Sequence, residues 1–304
     1  MNNHKKTNEY DVEGIFLRSF LTKEQGIENL SIEDSIWPKI SVVMPSYNHE
    51  KYIERSLLSV INQGYPNLEL IIIDGKSTDS TKSIVEKYKS HISYFHSEDD
   101  DGQSDALNYG FSIATGDIFA WLNSDDVYLP GALFAAARAF QTNKAARVVY
   151  GDWWSIDSSD NVICLNYAFN FSIKHFIYEG FHLNSQAMFW RKSVHKNFGL
   201  FDVSLHKTMD YDMILRFGIN EGQNKFLRLP IALACFRRHE EQKSQDESDP
   251  LILEEQKKTA KKNNIYNMKY GIFRPMFRFF YRVRRAWWYM KRAGFDFTLK
   301  QIIK

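Results

Sequence analysis

"ISVVMPSYNHEKYIERSLLSVINQGYPNLELIIIDGKSTDST", residues 40–81, decides the fold. Its opening "ISVVMP" is a continuous, β-branched apolar run, the pattern of a strand covered on both faces. Ile53, Leu57, Val60 and Ile61 then recur at helical spacing, and Gly64 closes that helix. "NLELIIIDG" (67–75) is a second buried strand. The hydroxyl and acidic residues of "STDST" (77–81) suit the N-cap of a further helix. Strand, helix, strand and helix in this order imply parallel strands joined by crossovers.

Working outward, "ISYFHS" (92–97), "GDIFAWLN" (116–123) and "ARVVYGDW" (146–153) are predicted strands. "SDALNYGFSIAT" (104–115) and "PGALFAAARAFQTN" (130–143) are the helices between them. The predicted class is α/β: a Rossmann-like, mostly parallel central sheet with helices on both faces. Beyond residue 153 the alternation weakens. "NVICLNYAF" and "SQAMFWRK" read as strands, "TMDYDMILRFGINEG" (208–222) as a helix, and "FLRLPIALACFRRHE" (226–240) as a strand ending in a basic–His cluster.

In such sheets ligands bind beyond the carboxyl ends of the strands. "PSYN" (45–48), "DGKSTD" (74–79), "SEDDDG" (97–102) and "NSDD" (123–126) each follow a strand end, so one crevice collects them. "SEDDDG" reads as a solvated loop beside it. Acidic loops repel anions unless a cation sits between, but carboxylates with Mg²⁺ or Mn²⁺ hold a diphosphate well. No GxxxxGK[ST] or GxGxxG loop offers a backbone cradle instead.

The chain has 304 residues and a net charge of +2, so no global charge points to nucleic acid. Its two cysteines, Cys164 and Cys235, have no CxxC spacing and fit a reduced compartment. "MNNHKKTNEYDVEG" lacks the apolar core of a secretory signal. No apolar run approaches the ~18 residues of a spanning helix. A cytoplasmic protein is expected.

Together with "DGQSDALNYGFSIATGDIFAWLNSDD" and "MDYDMILRF", the opening stretch resembles the family 2 glycosyltransferases, in order and spacing, over roughly residues 39–240. The resemblance implies a GT-A fold and a nucleotide diphosphate sugar donor, with UDP the expected nucleotide. It implies that Pro45, Ser46 and Tyr47 contact the nucleoside, that Asp74 recognises uracil or ribose, and that Gly102, Asp105 and Asn108 close over it. Asp125 and Asp126 match the acidic motif for nucleotide sugar and metal, with Asp126 as metal ligand and Mn²⁺ or Mg²⁺ as cofactor. Asp210 matches the catalytic base of inverting members; Asp212, two residues on, does not share its helix face. Arg237 is expected at the diphosphate and His239 at the metal. Three positions depart from the common pattern: Gly75 where a second acid is frequent, Leu107 where Arg is, and Asn123 where Asp is.

Weaker candidates are Trp153 and Trp154, which suit either sugar stacking or core packing, and Gln186 and Arg191 on the acceptor side. His182, His195 and His206 lack metal-ligand spacing. The expected reaction is transfer of a sugar to a hydroxyl of a glycan or lipid-linked glycan, as in cell-surface polysaccharide synthesis. A sugar nucleotidylyltransferase would need a glycine-rich basic loop that "PSYNHEKY" does not supply. A binding or membrane-recruiting protein that has lost catalysis is the other reading, and the three departures favour it.

The organisation expected is an N-terminal extension (1–38), a catalytic domain (39–245) and a C-terminal helical tail (246–304). Ten basic residues and one acid, Asp296, lie between Lys269 and the end. Arg274, Arg278, Arg282 and Arg285 are spaced for one helix face among many aromatics. That pattern predicts an in-plane helix with its basic stripe on an anionic membrane surface (270–304), or a helix docked on the catalytic domain. Nucleic acid is not expected, since no recognised motif accompanies the charge.

Overall fold

A computed structural model of the chain describes residues 37–198, 200–243 and 249–303. The expected extension up to residue 36, the amphipathic "GIFLRSFLT" within it, and the expected boundary at 245 lie outside the described residues.

The first half alternates as expected: β1 (Ile40–Ser46), α1 (Ile53–Ile61), β2 (Leu68–Asp74), α2 (Thr81–Lys87), β3 (Tyr94–Ser97), α3 (Gln103–Ile113) and β4 (Ile118–Trp121). β5 (Val127–Tyr128), α4 (Ala132–Thr142), β6 (Val148–Ile156), β7 (Val162–Asn166), α5 (Ile173–Glu179), β8 (Met188–Arg191), α6 (Lys192–Phe198), α7 (Met209–Glu221) and β9 (Phe226–Arg237) follow. The sheet order is β3-β2-β1-β4-β8-β6-β9-β5, with β7 beside β6. β1 pairs in parallel with β2 and β4, and β2 with β3. β8 then enters antiparallel between β4 and β6, so the fifth long strand does not adjoin the fourth.

β1 is mostly apolar because both its faces are covered, with Ser41 turned to Glu69 and Ser46 at its end. Ile40, Val42 and Met44 pack with Leu57, Ile72, Leu133 and Phe140 on one side of the sheet. Val43 packs with Ile73, Leu107, Phe111 and Trp121 on the other. Burying each such side chain is worth roughly 1.5–3 kcal/mol. This two-faced core holds the four strand ends β1–β4 in register, which brings their loops together.

The C-terminal segment forms α8 (Pro250–Lys262), α9 (Tyr266–Tyr270) and α10 (Arg274–Ile303), the last interrupted at Gly294. Asp249 caps α8 through the Leu251 N–H (2.9 Å). α10 lies against α5. Arg278, Arg282 and Arg285 each reach the buried Glu179 carboxylate at 3.3 Å, and Arg292 reaches Asp152 at 3.0 Å. Tyr178 stacks on Phe277 and Tyr281. The arginine stripe expected to face lipid therefore turns towards the protein, because two buried carboxylates there need cations. Phe273, Met276, Phe279, Phe280, Val283 and Trp287 face outward instead, each more than half exposed. No helix among the described residues is long and apolar enough to cross a membrane.

Candidate active site

The turn after β4 gives its two acids different surroundings. Asn123 is wired in place: its backbone N–H donates to Gln186 Oε1 (2.7 Å), and its side-chain oxygen accepts from Trp121 Nε1 (2.6 Å) and Gln103 Nε2 (2.7 Å). Asp126 points inward and is 1% exposed. Its oxygens accept from the Arg237 backbone N–H (2.8 Å) and the Asn123 amide (3.3 Å). Burial, and then the neighbouring Asp125, push its pKa well above the usual carboxylate range. Asp125 points the other way. One oxygen accepts from His239 Nε2 (2.9 Å); the other, Oδ1, is buried and has no hydrogen-bond partner among the described residues.

Asp125 lines a cavity of about 510 Å³. Pro45, Ser46 and Tyr47 from the end of β1, Gly75 after β2, Gly102 before α3, and Asn123 line it too. The Ser46 hydroxyl is buried there without a hydrogen-bond partner among the described residues. Of the residues expected at a donor site, Asp74, Asp105, Asn108, Asp126, Arg237 and His239 do not line this cavity. Asp74 is fully buried and accepts from the Ser77 N–H (2.9 Å) and the Ser97 hydroxyl (2.7 Å), so it organises the loop. Asp105 accepts from the Asp101 N–H (3.3 Å). Asn108 clasps the Phe201 backbone through two bonds, of 2.7 and 3.0 Å. Arg237 is 2% exposed, and its guanidinium holds the Asp125 and Asp157 carbonyls and the Asp160 carboxylate (2.7, 3.0 and 2.6 Å). It is a brace beneath the turn, not a clamp facing the cavity.

A second cavity, of about 1120 Å³, lies beside the first. Trp153, Ser155, Asn166, Asn184, Arg238 and His239 line it. Asp210 and Lys207 belong to both cavities, with Phe236, Glu241 and Gln242. Asp210 sits in the first turn of α7, where its Oδ1 accepts from the Tyr211 N–H (2.8 Å); Oδ2 takes no hydrogen bond from a described residue. Burial raises its pKa to about 6, with a smaller repulsion from Glu255. Asp212 faces away, fully buried and paired with Arg216 Nε at 2.7 Å.

The model of "Glycosyl transferase family 2" matches residues 41–199, just over half of the chain. This chain belongs to glycosyl transferase family 2. An uncharacterized glycosyltransferase of Rickettsia typhi is 30% identical over 193 residues, covering 59% of this chain and 58% of that protein. Glycosyltransferase GlyG of Streptococcus pneumoniae is 32% identical over 124 residues, covering 40% of this chain and 41% of that one. These alignments thus span about half of each relative's own length. Among solved structures, S. aureus TarS 1-349 in complex with UDP-GlcNAc aligns with a TM-score of 0.57 and 22% identity, over 67% of this chain and 60% of that one. The mannosyltransferase PcManGT of Pyrobaculum calidifontis, in complex with GDP-Man and Mn²⁺, aligns with a TM-score of 0.55 and 14% identity, over 88% and 79%. At these identities the likeness speaks for the GT-A fold.

The departures from the family 2 pattern have local reasons. A Cβ at Gly75 would come within 2.9 Å of the Asp100 carboxylate, so an acid there has no room beside Asp100. Asp99 and Asp100, expected in a solvated loop, line the first cavity. Leu107 is a core residue. Further cavity residues missed in the sequence are His49, Gln103 and Lys243. His49 Nδ1 meets the Ser124 hydroxyl at 2.6 Å, and burial lowers its pKa. Nothing in the spacing of these residues marked them, because separate loops deliver them. Of the weaker candidates, Trp153 lines the second cavity, His206 the first, and Trp154 packs in a small apolar cluster. Gln186 braces Asn123, Arg191 holds the Ala146 and Phe140 carbonyls, and His182 and His195 are buried among aromatic rings.

Proposed function

We propose that this family 2 chain is an inverting glycosyltransferase that moves a sugar from a UDP-linked donor to a hydroxyl of a glycan or lipid-linked glycan. The observation that carries this reading is Asp210, one carboxylate in the wall shared by two cavities. The donor nucleotide takes the smaller cavity among the strand-end loops. The acceptor takes the larger one, whose Trp153 ring and Ser155, Asn166 and Asn184 side chains suit a sugar's apolar face and hydroxyls. Asp210 accepts the acceptor hydroxyl's proton as that oxygen bonds to the anomeric carbon. The bond from that carbon to the diphosphate oxygen breaks on the opposite side, so configuration inverts. A pKa raised towards the working pH suits a general base.

Asp125 and His239 would hold a divalent cation, Mn²⁺ or Mg²⁺: Asp125 Oδ1 is buried without a partner among the described residues, and the cation would replace the proton that His239 Nε2 shares with Asp125 Oδ2 at 2.9 Å. Among the described residues no larger His, Cys, Asp and Glu cluster adds to them, and the diphosphate oxygens of the donor complete the set. When bound, the cation offsets diphosphate charge and stabilises the leaving group. Asp126 contributes by fixing the turn, its oxygens being engaged by Arg237 and Asn123.

The outward face of α10 supports the membrane part of the reading. Its apolar side chains are accompanied by the exposed cations Arg284 and Lys291 and by no acid before Asp296. That surface suits the anionic cytoplasmic face of a membrane, where a lipid-linked acceptor would be met.

A thermal-shift screen of nucleotide sugars with and without Mn²⁺ identifies the donor, since a ligand of the native fold raises its apparent stability. Stabilisation by one UDP-sugar and, with an acceptor, product of inverted anomeric configuration by NMR are expected. No stabilisation by any nucleotide sugar, or retained configuration, would refute the proposal.

A further inference from the structure

Glu255 lies in α8, more than fifty residues beyond the family match, yet it reaches the base of the cleft. It is 3% exposed. Its Oε1 accepts from the His206 N–H (2.7 Å). Its Oε2 accepts from the Lys207 N–H (3.0 Å), the Thr208 N–H (2.9 Å) and the Thr208 hydroxyl (3.0 Å). Three successive backbone N–H groups thus converge on one carboxylate at the start of α7, where the helix dipole also favours negative charge. No Lys or Arg side chain among the described residues forms an ion pair with it. Asp210 stands two residues past the clamped segment.

We propose that Glu255 is a positioning residue for the transfer reaction: it fixes residues 206–208 so that Asp210 stands between the two cavities. This rests on the reading of Asp210 as the base. A residue that merely anchored α8 would leave the Asp210 titration where it is when its charge is removed. The charge is what distinguishes the two roles, because Glu255 adds to the burial that keeps Asp210 protonated to a higher pH. The other charged or titratable groups lining the two cavities are His49, Asp99, Asp100, Asp125, His206, Lys207, Glu241 and Lys243 in the first, with Lys51, Glu179, Arg238, His239, Glu240 and Arg285 in the second. They stay in place in the variants below, so a difference isolates Glu255.

The test uses the full chain and needs no donor. Protein labelled with [4-¹³C]aspartate is titrated by NMR, the Asp210 resonance being assigned by its loss in Asp210→Asn. Hydrogen exchange of the 206–208 amides is followed alongside. Glu255→Gln keeps the side chain's size, removes its charge and replaces one accepting oxygen with an amide donor. The expected result is an Asp210 midpoint lower by ~0.5–1 pH unit and faster exchange at 206–208. A midpoint equal to wild type, or unchanged exchange, overturns the proposal even if the variant is less stable. Glu255→Asp keeps the charge on a shorter arm. It is expected to speed exchange while the midpoint stays above that of Glu255→Gln, and it carries the test if Glu255→Gln does not fold: exchange as slow as wild type then overturns the proposal. Failure here leaves the donor screen untouched, and failure of the donor screen leaves this titration readable.

Discussion

The turn at 123–126 and the first turn of α7 each carry two aspartates, and each turns only one of them towards the cavities. In both places the partner acid is drawn inward by donors supplied from elsewhere. They differ in what does the drawing. Asp126 is held by the Arg237 backbone N–H and the Asn123 amide, and burial favours its protonated form. Asp212 is held by the Arg216 guanidinium itself. The outward acids differ too: Asp125 sits against His239, while Asp210 accepts from the backbone N–H of Tyr211. Chemically equal residues are thus divided into working and supporting roles by the donors around them. The same division tells which substitutions should abolish turnover and which should loosen the fold.

The largest effect is expected at Asp210. Asp210→Asn should cut transfer by ~10²–10⁴-fold while UDP binding persists; near wild-type turnover in a transfer assay would break the comparison. Asp212→Ala should leave transfer chemistry intact in the folded fraction. It removes the carboxylate partner of Arg216, whose guanidinium keeps the Phe198 and Leu200 carbonyls, and should cost about 1–3 kcal/mol, read from denaturant unfolding. In the other pair, Asp125→Ala should remove Mn²⁺-dependent stabilisation by the donor. Asp126→Asn, close in shape and keeping an oxygen that can accept from the Arg237 backbone N–H, should retain that stabilisation. Equal losses in a thermal-shift assay would show that the two acids are not divided as described.

The pH dependence sharpens the same point. Asp210 works ionised, and its pKa is raised to about 6. Turnover should therefore be full above that pH and fall about tenfold per pH unit below it. An acidic limb at the ordinary carboxylate value near ~4 would mean that burial does not govern the base. The smallest effect is expected at the far surface. Phe280→Ser with Trp287→Ser should weaken binding to anionic liposomes and shift stability by less than about 0.5 kcal/mol, as surface substitutions do. Liposome binding equal to wild type in a flotation assay would remove the membrane reading of α10.

Much of this was legible beforehand, for reasons that differ from place to place. β1, β2 and β4 announced themselves because strands covered on both faces must be mostly apolar. The loops after them could be gathered into one crevice because parallel strands end on the same side. The pair "NSDD" was found, but not which acid faces out, because the deciding donor lies 111 residues later at Arg237. The arginine stripe of α10 was found and its direction misjudged: its partner, Glu179, lies 99 residues before Arg278 and nothing in the tail betrays it. Glu255 carries no local signal, being one of two adjacent acids on a charged helix. Asp100 was hidden among neighbours, and its place in the first cavity and its bond from the Gly102 N–H distinguish it only in the fold.

The sequence by itself determined the family, the order of strands and helices through β4, and the loops that could meet. Those follow from local periodicity, from the burial of whole faces, and from motifs that survive as ordered short strings. The tertiary structure alone decided that Asp125 rather than Asp126 faces the first cavity, that Arg237 is a brace, that α10 turns its arginines inward, and that α8 reaches back to the segment before Asp210. The physical reason is common to all four. A buried charge or hydrogen-bonding group settles where its partners are, and those partners come from segments that only the finished fold brings together.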